Sequence, residues 1–267
     1  MIYVVTLTFN LVSEVQKACE RLYEQNEGTK FTHLICDLSF PLLTGNEIPE
    51  DLEEAKKSNS EALRFLAARF GAKYVKMPNI GVSQNWSQVI EYLKPTNEDY
   101  LVSCEPDEVQ NENGWVQAMV NALKGGLAYC APMLVEHKEL LANNPNSTLT
   151  TIGGEEVYVI QGNINYGQIS FSGEFLNLIG GIPAPSTMPI YGGIESVLHA
   201  MVNRFDRQWG LLKNYTTTHT DYEKGTPNTS KLLREWKNWC VFKSGGKQIQ
   251  FDEWLIKKQE VEKVIAR

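Results

Sequence analysis

No stretch of this chain approaches the roughly 20 consecutive apolar residues that a membrane-crossing helix needs, so no membrane span is expected. The opening Met1-Ile2-Tyr3-Val4-Val5 passes directly into strand-like sequence, without a basic stretch or a cleavage pattern, and no secretory leader is expected. Cysteines are few: Cys19, Cys36, Cys104, Cys130 and Cys240 are odd in number and lack the paired spacing of a zinc site or a disulfide framework. Three of them fall in strand-like contexts, and all are expected to be reduced thiols of a cytoplasmic protein. Nor is there a general excess of positive charge. The net charge is −7, and residues 230–267 carry nine Lys/Arg against five Asp/Glu, which leaves −11 on the remainder. An acidic body excludes a surface that wraps nucleic acid broadly, while a basic tail leaves room for a local phosphate contact.

What the chain does contain is enough apolar sequence for a sizeable α/β core, 42% hydrophobic over 267 residues. Residues 2–9 read as a first strand. Val12, Val15, Cys19 and Leu22 then recur at helical spacing within 11–23. Residues 32–37 form a short apolar strand ending in an acid, 40–49 a loop, 51–70 a long helix and 72–76 a third strand. Residues 83–93 carry Trp86, Val89, Ile90 and Leu93 on one helical face; strands follow at 99–104 and 127–134, around a helix at 115–123. This alternation predicts βαβ units and a mainly parallel sheet flanked by helices. Beyond it, 143–154 reads as a loop, and 157–171 as a hairpin turning near Gly162 and Asn163. An amphipathic helix with Val197, Leu198, Met201, Val202 and Phe205 comes next. In the tail, Leu232, Leu233, Trp236, Trp239 and Cys240 share a helical face, which predicts a helix packed on the body. The competing reading is nucleic-acid binding by Lys231, Arg234, Lys237, Lys243 and Lys247 among aromatic residues.

The most informative segment is Asp99-Tyr100-Leu101-Val102-Ser103-Cys104-Glu105-Pro106-Asp107-Glu108. A buried strand ends in three carboxylates, at the end of the sheet where open α/β folds place their ligand crevice. Pro106 is expected to keep the chain extended, so that Glu105 and Asp107 point to one side. Two converging carboxylates suit a hard divalent cation, Mn²⁺ or Mg²⁺, that also carries a diphosphate. The plainer reading is a solvated acidic turn, and Glu108 is taken as a solvated neighbour.

Taken in order, these motifs resemble the GT-A-fold glycosyltransferases, family 2-like group. Val5-Thr6-Leu7-Thr8-Phe9-Asn10 is similar to that group's first strand, with Leu7 in place of a proline and Phe9 in place of a tyrosine. Asp37 stands where a second strand ends in a base-contacting Asp, and Asn79-Ile80-Gly81 with Asn85 resembles an Asn/Gly element before the metal strand. Glu105-Pro106-Asp107 looks like the DxD motif with Glu in first place. Ile179-Gly180-Gly181 and Tyr191-Gly192-Gly193-Ile194-Glu195 resemble acceptor-side loops, and His219 occupies the place of a late metal-ligating histidine. The resemblance spans residues 2–222. It implies a GT-A catalytic domain over 1–229, with 1–135 the nucleotide-sugar-binding half, 136–229 the acceptor-side half and 230–267 the tail. Thr8, Phe9, Asp37, Asn85 and Glu105 would hold the donor. Asp107, Glu105 and His219 would hold the metal. Glu195 would be the general base, with Asp221 and Glu174 in reserve.

The implied activity is metal-dependent transfer of a sugar from a nucleotide donor, UDP-linked, to a hydroxyl acceptor. Two departures bear on it: Glu105 is a methylene longer than Asp and suits ribose contact, and Glu195-Ser196 replaces an acidic pair. Other readings stay open. A compact chain with a basic aromatic tail suits a virus-encoded DNA glycosyltransferase acting on hydroxymethylated bases, which would flip its target base. The loss of the acidic pair suits a catalytically inactive nucleotide- or carbohydrate-binding module. A nucleotidyltransferase would need a Gly-rich basic loop after the first strand, which Asn10-Leu11-Val12-Ser13-Glu14 is not. Residue by residue, Asp37 also fits a turn or cap, Glu195 a helix first turn favoured by the macrodipole, and His219 a surface histidine in a Thr-rich strand.

Overall fold

The computed structural model describes residues 1–8, 11–41, 50–79, 82–162, 168–182 and 194–219. Strands and helices alternate through β1 (Ile2–Thr8), α1 (Val12–Gln25), β2 (Thr32–Pro41), α2 (Glu50–Phe70), β3 (Lys73–Asn79), α3 (Val82–Leu93) and β4 (Tyr100–Ser103). A short β5 (Glu108–Gln110), α4 (Trp115–Lys124) and β6 (Leu127–Leu134) come next. The rest comprises α5 (Lys138–Ala142), β7 (Ser147–Ile152), β8 (Glu155–Ile160), β9 (Ser170–Ser172), α6 (Gly173–Leu178), α7 (Ile194–Arg204) and β10 (Gln208–His219).

The ten strands of the described residues join one sheet in the order β3-β2-β1-β4-β9-β6-β10-β8-β7, with β5 paired to β10. β3, β2, β1 and β4 run parallel. β9 is antiparallel to both β4 and β6, so β6 runs with β4, and β10 runs with β6. Only β5, β8 and β9 point the other way. The expected mainly parallel α/β sheet is therefore present. The chain adds β2 and β3 to one side of β1 and β4 to the other, so β1 and β4 flank a topological switch point, where their carboxyl ends open a crevice.

Two-residue alternation explains why these strands are apolar throughout. Val5, Leu34, Leu101 and Tyr129 face one side, in a cluster with Trp86 and Val89 of α3, Phe175 and Leu176 of α6, and Leu198 and Met201 of α7. Their neighbours Val4, Val102 and Cys130 face the other, against Leu22 of α1 and Trp115 and Met119 of α4. Ile35 meets Val15 and Cys19 of α1 and Leu63 of α2 on that same side. Strands covered on both faces need continuous apolar runs, and β6 is buried along all eight residues. Aromatic pairs key the first cluster: Trp86 meets Phe171 edge-on at 5.3 Å, and Tyr129 stacks on Trp209 at 5.0 Å. Cys19, Cys36, Cys104 and Cys130 are buried free thiols, and Cys240 lies outside the described residues.

Three expectations need correction. Residues 147–152 are not loop but edge strand β7, whose Ser/Thr-rich, solvent-facing side chains give no apolar signal. The hairpin joins β7 to β8 across Gly153 and Gly154, whose φ values of 60° and 88° supply the turn, and not across Gly162. Its expected second arm, β9, instead pairs with β4 and β6. β2 also continues to Pro41, into the segment expected to be loop. The expected helical tail, 230–267, lies outside the described residues.

Gly153 and Gly154 make a contrast that tests this hairpin. A Cβ at Gly153 would overlap the Asn121 carbonyl of α4, whereas a Cβ at Gly154 meets nothing. Gly154→Ala is expected to cost only the left-handed backbone penalty, about 1–2 kcal/mol. Gly153→Ala adds overpacking of a further ~1–3 kcal/mol. Denaturant melts of the two variants check this; equal losses would contradict the hairpin's docking on α4.

Candidate active site

At the carboxyl end of β4, Ser103 Oγ donates to Glu105 Oε1. The Glu105 carbonyl then accepts from Glu108 N at 3.3 Å, which closes a turn over Pro106 and Asp107. The expectation of an extended chain here is corrected: proline's fixed φ is the one that the second position of a β-turn adopts. The reversal starts β5 at Glu108, and β5 pairs antiparallel with the end of β10. β10 reaches that register through a bulge. Leu212 lies opposite Pro132 of β6, but Met133 has Thr216 as its partner, so the intervening residues swell out and re-aim the strand. Glu112 clamps the far side, accepting from Thr216 N at 2.6 Å and Thr216 Oγ1 at 2.8 Å. The outcome is that His219 lies directly across from Glu108.

Glu108 itself corrects the reading of a solvated neighbour. It is 3% exposed, because its pairing to β10 turns the side chain inward. Gln168 N donates to Oε2 at 3.2 Å, and His219 Nε2 lies 3.6 Å from Oε1. Burial is the main cause of the ionisation behaviour of all three acids. It pushes Glu105 up to about 8, with the charges of Asp107 and Glu108 adding to it and the Ser103 hydroxyl opposing. Asp107 is raised by burial against the opposing charge of His219. Glu108 is raised by burial, with Asp107 adding and His219 opposing. Carboxylates suit Mn²⁺ or Mg²⁺, one imidazole among them favours Mn²⁺, and a cation would relieve the cost of holding these acids ionised. Among the described residues, however, no three His, Cys, Asp or Glu side chains form a ready ligand cage. The acids are close enough to perturb one another without converging on one point.

The other expected residues distribute as follows. Thr8, at the carboxyl end of β1, is buried, and its Oγ1 has no partner among the described residues. Asp37 is its register partner on β2. It is fully buried, and its Oδ2 accepts from Ser60 Oγ at 2.5 Å and Tyr74 OH at 2.6 Å, bracing β2 against α2 and β3. Asn85 is buried on α3, and its Oδ1 accepts from Gln88 Nε2 at 3.2 Å. Glu195 is half-buried in the first turn of α7, and burial raises its proton affinity. Ile194 beside it packs in the cluster of Trp86 and Ile169, which fixes α7 to the sheet. Glu174 is exposed and paired with Arg207 at 2.9 Å. It follows β9 past the amino end of β4, the opposite edge of the sheet from Glu105, so it is not part of this cluster. Phe9, Ile80, Gly81, residues 191–193 and Asp221 lie outside the described residues. Sequence reasoning missed Ser103, Glu108 and Gln168. The alternation of Glu108 and Gln110 about Val109 was the one signal that Glu108 turns inward.

No protein-family model and no curated protein matches the chain. Among solved structures, the chain overlaps GalNAc-T7 crystallised with UDP, GalNAc and Mn²⁺, at 13% identity and a TM-score of 0.48, over 90% of this chain and 49% of that one. It also overlaps S. aureus TarS 1-349 in complex with UDP-GlcNAc, at 11% identity and a TM-score of 0.47, over 86% of this chain and 60% of that one. The chain thus spans about half to three-fifths of these structures, and overlaps this loose carry no functional argument.

The raised acids set a pH dependence for folding. A carboxyl whose folded pKa lies above its unfolded value stabilises the fold while protonated, and that stability is lost as pH rises. With Glu105 moved from 4.5 to about 8, the chelator-treated protein should lose thermal stability between about pH 5 and pH 8. Glu105→Gln should flatten that slope and melt higher than wild type at pH 8. Parallel slopes in the two proteins would show that Glu105 is not the group responsible.

Proposed function

We propose that this chain is a nucleotide-sugar-dependent glycosyltransferase of GT-A architecture that moves a sugar to a hydroxyl acceptor. The observation that carries the reading is the group of half-buried Glu105 and Asp107 and buried Glu108 at the carboxyl end of β4, with His219 brought across from β10. It joins a cation-type donor set to the ligand crevice of an α/β sheet, and it stands in the order that the family resemblance implies. A bound Mn²⁺ or Mg²⁺ would supply charge neutralisation for the departing nucleoside diphosphate. Asp107 and His219 are its proposed ligands, and Glu105 either joins them or holds the ribose. Thr8 and Asp37, adjacent at the carboxyl ends of β1 and β2, would flank the nucleoside, together with Phe9 and Asn85.

Glu195 is the proposed general base. Partial burial raises its affinity for a proton, which suits a carboxylate that must deprotonate an alcohol near neutral pH. In the inverting reaction, the acceptor oxygen forms a bond to the anomeric carbon as the bond from that carbon to the phosphate oxygen breaks. The electron pair leaves with the nucleoside diphosphate, and the acceptor proton passes to Glu195. UDP is the nucleotide proposed. A hydroxymethylated DNA base remains a candidate acceptor through the sequence of 230–267 alone.

The test is release of UDP from a panel of UDP-sugars, with and without Mn²⁺, against glycan and hydroxymethylated-DNA acceptors. Acceptor-stimulated release that requires Mn²⁺ is expected. Glu195→Gln should lower kcat by about 10²–10⁴-fold with donor KM little changed. Donor binding without turnover on any acceptor would favour the non-catalytic binding module.

A further inference from the structure

Glu108 sits beneath His219, and the two differ sharply in exposure. The Glu108 side chain is 1% exposed, whereas that of His219 is 49% exposed. Glu108 is also anchored: Oε2 accepts from Gln168 N, and its backbone is paired in register with His219. Two residues on, Gln110 donates from Nε2 to the Gln168 side chain, and its carbonyl accepts from Gln25 Nε2 at 2.9 Å. The carboxylate is therefore a fixed point, and the half-exposed ring is the member of the pair that can turn. At 3.6 Å the contact from Nε2 to Oε1 is just longer than a hydrogen bond.

We propose that Glu108 is a positioning residue: its carboxylate draws the Nε2–H of His219 toward Oε1 and leaves Nδ1 as the nitrogen offered to a divalent cation. The proposal rests on the cation-dependent reading above and assigns a residue that the motif leaves out. A neutral imidazole carries one proton, so the nitrogen that donates to a carboxylate cannot also ligate. Carboxylates behind ligating histidines fix ring orientation in this way and raise ligand basicity. Direct ligation by Glu108 is disfavoured by its place. A cation that carries a diphosphate must be reached from solvent, and the solvent side of this pair is the imidazole.

Two measurements on the full chain test this. Long-range ¹H–¹⁵N correlation of the metal-free protein at pH 8 should show His219 as the Nε2–H tautomer in wild type and in Glu108→Gln, whose amide oxygen still accepts. In Glu108→Ala that preference should disappear. Calorimetric titration with Mn²⁺ alone should show roughly tenfold or greater weakening in Glu108→Ala and near-wild-type affinity in Glu108→Gln. Glu108→Ala in a His219→Ala background should cost nothing further, because the two act through one contact. An Nδ1–H tautomer in wild type would overturn the proposal. So would equal Mn²⁺ losses in Glu108→Gln and Glu108→Ala with an additive double variant, which would make Glu108 a ligand. If wild type bound no Mn²⁺, the cation reading itself would fall, and the tautomer alone would decide the Glu108–His219 pairing.

Discussion

Three neighbouring carboxylates partly or wholly withdrawn from water at the end of one strand are costly, and the surrounding architecture explains how they are held there. Ionised acids in a low-dielectric site need a partner or a proton, and what faces Glu105 and Glu108 is other acids, the Ser103 and Thr217 hydroxyls, the Gln168 amide and one histidine. The turn over Pro106, the pairing of β5 with β10 and the bulge before Thr216 all serve to close this group. Such strain tends to persist where function requires it, since a fold under selection for stability alone would replace these side chains. A cation that binds phosphate converts the same arrangement from a liability into a site.

The scaffold makes that closure possible. Trp86, Phe171, Tyr129 and Trp209 lock α3, β9, β6 and β10 on one face, while Trp115 and Met119 of α4 hold the other. β9 sits antiparallel between β4 and β6, and the short chain before it supplies the Gln168 amide to Glu108. One inserted strand therefore both continues the sheet and caps a buried carboxylate. Asp37 shows the same economy: its bonds to Ser60 and Tyr74 tie α2 and β3 to β2 beside the crevice. Any nucleotide contact made there would be made by a side chain already oriented.

The first part of the fold was legible because its strands are covered on both faces. Continuous apolar runs such as 127–134, alternating with amphipathic helices such as α1, leave few other readings. β7 was not legible, since its Thr-rich edge buries almost nothing and local pattern cannot distinguish it from a loop. β9, at three residues, is defined by pairing with distant strands and has no period to detect. The site divides on the same line. Glu105, Asp107 and His219 are visible as residue types in a familiar order. Glu108 was misread because its burial is decided by His219 across the sheet, while its own neighbourhood reads as an acidic turn.

The central claim is that the acids beyond the carboxyl end of β4 form a cation-dependent nucleotide site, and titration calorimetry with UDP in the presence and absence of Mn²⁺, on wild type and Asp107→Ala, tests it most directly. The account predicts binding to wild type that requires Mn²⁺ and that weakens about tenfold or more in the variant. UDP binding that is indifferent to both Mn²⁺ and Asp107, or no binding of UDP or other nucleotides, would contradict it.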